Sequence, residues 1–314
     1  VSFFASPKRC LAVAALTLLE ALRQPFLLLL TASCTVFISL LPALLMHTMG
    51  EAQQVVQDSA LAVHFVAGLL LAGCTASVAL GREIRRGTLA VVLVKPISRE
   101  AYFLAKFAGT ALVLGLFATA TGLATLLSAQ AARDAYHVDW LTAGSVTAAT
   151  AVAFGLAAAL NYFARWSFVP TAFTLLVILL MVAGALATAR EGFAWRVLPA
   201  SVLVTLATIV LGGIALALVS RLQLMPTLAV CTVIFLAGLM ADYLLGRHAA
   251  ANPLAALVYH LLPNWQHFWT ADALMENGTV PWAYVRQVTM YAVFYLLGVL
   301  SLGMLAFRDV ETKA

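Results

Sequence analysis

Charge is scarce in this sequence. Asp, Glu, Lys and Arg together make up 10% of its 314 residues, whereas 63% are hydrophobic and the mean hydropathy is +1.00. A soluble domain carries about 25% charged residues and has no core large enough to hide so much apolar surface. The chain therefore reads as an integral membrane protein. Its net charge is a modest +5, with no basic patch interleaved with aromatics, so nucleic acid is not an expected partner. Cysteine is equally sparse. Cys10, Cys34, Cys74 and Cys231 are far apart and form no CxxC, which leaves neither a zinc site nor a disulfide framework and makes them inert buried thiols.

Other absences narrow the function. No expected span centre carries Asp, Glu, Lys or Arg, although ion-coupled transporters place such groups near the midplane. His64 stands alone in its span with no histidine four residues away, so no haem or metal pair is expected. It reads as a satisfied or boundary histidine, and Asn161 as a polar contact between helices. The dipeptide Gly-Lys never occurs, so the chain has no GxxxxGK[ST] phosphate loop. It is not expected to be an enzyme or to bind a cofactor or metal, and any ATP must be used by another subunit.

What the sequence does contain is apolar length. A spanning helix needs about 20 apolar residues. Eight stretches qualify, at about 26–46, 59–80, 103–129, 140–163, 168–188, 198–219, 227–245 and 286–307. The expected fold is an all-α, polytopic membrane protein, one transmembrane domain over residues 1–314. Residues 1–25 resemble a signal peptide at first, with Lys8 and Arg9 before an apolar run. Glu20 and Arg23, however, stand where a small-residue cleavage site belongs. Leu11, Ala14, Ala15, Leu18, Leu19 and Leu22 recur at helical spacing, which predicts an amphipathic helix at the interface. With the N-terminus inside, thirteen of the 18 Lys and Arg residues fall on the cytoplasmic side, and both termini with them. Ala111 with Gly115, and Ala151 with Gly155, are small pairs that read as ordinary helix packing. On the outer side, residues 246–285 form an aromatic-rich loop. "ALVYHLL" within it is too short to span and predicts a re-entrant or interfacial helix, with Trp265, Phe268 and Trp269 at an outer gate or rim.

The most structured polar stretch is "GREIRRGTLAVVLVKPISREAYFLAKFAG", from Gly81 to Gly109. Gly87 can end the second span in a left-handed turn. Thr88 can cap a short helix whose Leu89, Val92 and Leu93 share one face, and Pro96 stops it. Ser98 caps the next helix, with Glu100 in its first turn. Residues 82–102 thus form a charged cytoplasmic hook. Glu83, an acid amid Arg82, Arg85 and Arg86 at the bilayer edge, calls for a salt bridge or cap.

Glu83, then Gly87-Thr88, then Pro96-x-Ser98-Arg99, then Lys106, resembles the cytoplasmic pattern of ABC-2 type transporter permeases. "LEALRQPFLLLL" resembles that family's elbow helix and first span, and the late outer loop its final extracellular segment. The resemblance covers about residues 8–125 and extends to 225–310. Six spans are usual in the family, so six is the alternative to eight, the two extra falling within 140–220. The resemblance implies the permease subunit of an ABC exporter in a bacterial cytoplasmic membrane. A second permease subunit, identical or not, and cytoplasmic ABC ATPase subunits carrying ATP and magnesium would complete it, with membrane lipid around them. Glu83, Arg85, Arg86, Gly87, Thr88, Leu89, Val92, Leu93, Pro96, Ser98 and Arg99 would be the ATPase-coupling residues. The competing readings are a stand-alone secondary transporter and a non-transport membrane scaffold.

Overall fold

The computed structural model describes residues 7–45, 52–87, 97–134, 137–189, 193–249 and 252–308. All regular structure among them is helical. Helix α1 is Pro7–Leu22 and α2 is Pro25–Leu44. Helix α3 runs from Ala52 to Arg86 and contains a π turn at Ser77–Gly81. Then follow α4 (Arg99–Ala131), α5 (Trp140–Ala164), α6 (Phe168–Thr188), α7 (Trp195–Val219) and α8 (Leu224–Leu239). A π turn at Asp242–Gly246 and a helical turn at Arg247–Ala249 follow α8; α9 is Pro253–Leu261, and α10 (Trp282–Arg308) closes the described chain.

Seven of these, α2 to α7 and α10, are long and apolar enough to cross a membrane. The remaining expected stretch gives a shorter apolar helix. The stretch expected at 227–245 forms α8, which has 16 residues and ends at Leu239, followed by the π turn at Asp242–Gly246. At a rise of about 1.5 Å per residue it covers about 24 Å, short of a hydrocarbon layer of about 30 Å. It nevertheless carries the chain from one end of the bundle to the other. Helices α7 and α10 are parallel: Gly213 sits against Leu296, and Gly303 against Ala217. The chain must return between them, and α8 does so antiparallel to α3, with Leu228 on Gly73 and Phe235 on Phe65.

Helix α1 forms as the spacing predicts, but only Leu18 and Leu22 of its leucines pack on the core. Leu11, Leu16 and Leu19 are exposed, while Ala14, Thr17 and Ala21 are buried. The small face lies directly on α4, because Gly109 lets the backbone approach: a Cβ there would meet the Ala14 carbonyl at 2.7 Å. Helices α5 and α6 make the tight pair expected around Arg165. That residue adopts a left-handed φ of 58°, and the Asn161 side chain donates to the Trp166 carbonyl at 2.5 Å. Asn161 therefore closes a turn at a helix end; it does not join two helices at depth. Among the described residues, Gly115 and Gly155 have no atom of another helix within 4 Å of a built Cβ, so neither glycine serves a close helix approach.

Candidate functional site

The first, basic end of the bundle gathers α1, the last turns of α3, the first turns of α4 and the end of α10. The local signals for the hook hold at both described ends. Gly87 ends α3 with φ 69°, a left-handed conformation that a side chain disfavours, and its N–H donates to the Ile84 carbonyl. Ser98 caps α4, its hydroxyl accepting from Ala101 N–H at 3.2 Å. Thr88, Leu89, Val92, Leu93 and Pro96 lie outside the described residues.

Between these ends sits a buried ionic node. The Lys106 ammonium lies 2.8 Å from Glu83 Oε1, and the Tyr102 hydroxyl donates to Glu83 Oε2. Lys106 is 1% exposed and Glu83 18%. Tyr102 and Lys106 are four residues apart, so they share one face of α4 and reach the same carboxylate. The Lys106 ammonium is also 5.4 Å from the Tyr102 ring, and both Tyr102 and Phe103 pack on Phe307 of α10. Charge-assisted bonds of this kind are about twice as strong as neutral ones. The node thus clamps the two arms of the hook together at its base. Glu83 has the salt bridge its setting required. Tyr102 was not singled out from the sequence, although its spacing from Lys106 was the available signal.

The remaining hook residues take separate places. Arg85 Nη2 donates to Ser77 Oγ at 3.4 Å, and Arg82 Nη2 to Gln24 Oε1 at 3.0 Å. Arg86 is exposed. Arg99 Nη1 donates to the Arg308 carbonyl at 2.7 Å, tying the start of α4 to the end of α10.

At the opposite end, α9 is largely exposed and residues 263–269 fold back into the bundle. Of the expected gate or rim residues, Trp265 and Phe268 are fully buried and Trp269 is partly so. Trp265 donates to the Ile234 carbonyl of α8 and packs on Phe65 and Phe235, while Trp269 stacks on Phe65. Irregular backbone at depth must be satisfied by protein. Tyrosines of α10 do this, among them Tyr284, which donates to the His267 carbonyl at 2.9 Å. Tyr295 donates to the Leu261 carbonyl at 3.0 Å, and Tyr291 accepts from Asn264 N–H at 3.1 Å. Asp242 Oδ1 accepts from Asn264 Nδ2 and from Tyr259, and the latter bond holds the Tyr259 phenol above the ordinary tyrosine range. Gly238 makes the close approach possible, since a Cβ there would lie 2.3 Å from the Pro263 carbonyl.

His64 corrects an expectation. Helix α3 begins at Ala52, seven residues before the apolar stretch suggested, so His64 lies twelve residues deep instead of near a boundary. It is 0% exposed, edge-on to Phe117, and neither ring nitrogen has a hydrogen-bond partner among the described residues. Gln57, on the same face two turns earlier, is likewise buried and unsatisfied. No group of three or more metal-ligating side chains occurs among the described residues.

No protein-family model matches the chain, and no curated protein matches it.

Proposed function

We propose that this polytopic helical membrane protein is the permease subunit of an ATP-driven ABC-2 type exporter, its energy supplied by a separate cytoplasmic ATPase. The observation that carries this reading is the Glu83–Lys106–Tyr102 node at the base of the hook. A topogenic stop signal needs only exposed cations. It has no use for a buried lysine that ties the end of one span to the start of the next, flanked by a left-handed Gly87 and a capping Ser98. A segment that receives force from a partner needs such a clamp, so that a push on residues 87–98 moves α3 and α4 as a unit. In this reading Arg86, Thr88, Leu89, Val92, Leu93 and Pro96 meet the ATPase, and Glu83 supports them from within.

The test is purification of the tagged chain from its native membrane in mild detergent, followed by ATPase assay in liposomes. The expected result is a stoichiometric partner with a Walker phosphate loop. Glu83→Ala and Gly87→Pro would leave the complex in the membrane and uncouple its ATP hydrolysis from transport. Recovery of the chain without any ATPase, or unchanged coupling in both variants, overturns the proposal.

A further inference from the structure

The basic end contains a cavity of about 360 Å³ that the hook does not use. It lies between α1, α2, α3 and the first residue of α8. Its mouth carries Arg82, Arg85 and Gln24, and its walls are apolar, with Phe26, Leu71 and Leu224 among them. No acidic residue lines it among the described residues. Glu83 is paired with Lys106, and Glu20 and Glu83 line an adjoining recess together with Arg23, Arg82 and Arg86.

Among the described residues, neither guanidinium forms a salt bridge. Arg82 donates to the Gln24 amide and Arg85 to the Ser77 hydroxyl, both uncharged acceptors. A guanidinium has five N–H donors, so each keeps most of its capacity. The π turn at Ser77–Gly81 supplies the hydroxyl that orients Arg85. Gly81 leaves room for that guanidinium, since a Cβ there would be 3.0 Å from Arg85 Nη1. π turns are frequent at functional sites.

The geometry points to a binding site for one anionic phospholipid, its phosphate on Arg82 and Arg85 and an acyl chain along Phe26, Leu71 and Leu224. The cavity joins a doubly cationic mouth to an apolar wall at the end of the spanning helices, the level at which headgroups lie. Free phosphate would use only the mouth. A zwitterionic lipid would bring its own cation against two guanidiniums. Arg offers a planar fork that pairs phosphate oxygens two at a time, which a general basic surface does not. This inference is independent of the ATPase reading.

The experiment is native mass spectrometry of the full chain released from detergent containing equal amounts of phosphatidylglycerol and phosphatidylcholine. The wild-type chain is expected to retain one phosphatidylglycerol in preference to phosphatidylcholine. Arg82→Gln with Arg85→Gln is expected to weaken that retention roughly tenfold or more, as two lost cations at a headgroup should. Arg9→Gln removes a cation from the same end but not from the cavity, and is expected to leave it unchanged. Size-exclusion profiles matching wild type show that the variants fold. Three outcomes overturn the proposal: no preference for the anionic lipid, equal loss in Arg9→Gln, or displacement of the lipid by millimolar inorganic phosphate, which would make this a phosphate site.

Discussion

Lys106 and Glu83 are 23 residues apart in sequence and 2.8 Å apart in space, and the lysine reaches its partner from a position that is 1% exposed. Removing one member of such a pair strands the other. We predict that Lys106→Met and Glu83→Gln each destabilise the protein by about 3–5 kcal/mol, and that the double variant loses less than the two losses added. Denaturant unfolding in a fixed detergent measures this. Additive losses would mean that the two groups do not share one interaction.

Gly87 is in the left-handed region at φ 69°. Gly87→Ala is expected to cost about 1 kcal/mol through backbone strain alone, and Gly87→Asn less, because asparagine tolerates that conformation. Comparing the melting temperatures of the two variants checks the order. If alanine were as stable as asparagine, the left-handed turn would not be what the position demands.

Tyr295 and Tyr291 satisfy backbone groups of the returning segment. Tyr295→Phe strands the Leu261 carbonyl and Tyr291→Phe the Asn264 amide, each at a cost of about 1–3 kcal/mol. Hydrogen exchange should report faster opening of residues 261–269 in both variants, with the basic end unchanged.

Gly238 has the Pro263 carbonyl and the Trp265 indole where a side chain would begin. Gly238→Val is therefore expected to expel Trp265 from its site. Tryptophan emission should shift to the red and become open to an aqueous quencher. An unchanged spectrum would show that the loop has room to spare.

His64 presents the reverse case, since its two nitrogens are buried without partners among the described residues. Burying an unpaired polar group costs more than burying an apolar one of similar size. His64→Leu is thus expected to keep or raise the melting temperature. A marked fall would reveal a bound water or other partner for the imidazole.

Local chemistry was the most readable part of this sequence. Gly87 and Ser98 mark their turns by residue type alone, and both turns stand where those residues put them. The need of Glu83 for a cation was also legible, but not which one, because a contact between α3 and α4 depends on how two helices meet. The start of α3 was hidden by Gln53, Gln57 and Asp58, which look like loop residues by hydropathy. Gln53 earns its place by long-range bonds, to the Ala129 carbonyl and from Arg196. The tyrosine supports on α10 were missed for a similar reason. A pair four residues apart in an apolar helix reads as an interfacial anchor until the segment it holds is in place.

Helix α10 takes hold of something at each end: Tyr284, Tyr291 and Tyr295 bond to the returning segment, and the Arg308 carbonyl accepts from Arg99 beside the hook. Its 27 residues form one uninterrupted helix, and a helix does not shorten under modest load. In the proposed reading it serves mechanically as a pushrod. A displacement of the Arg99 end along the rod emerges at the far face with its length intact, where the buried Trp265 and Phe268 ride on the neighbouring segment.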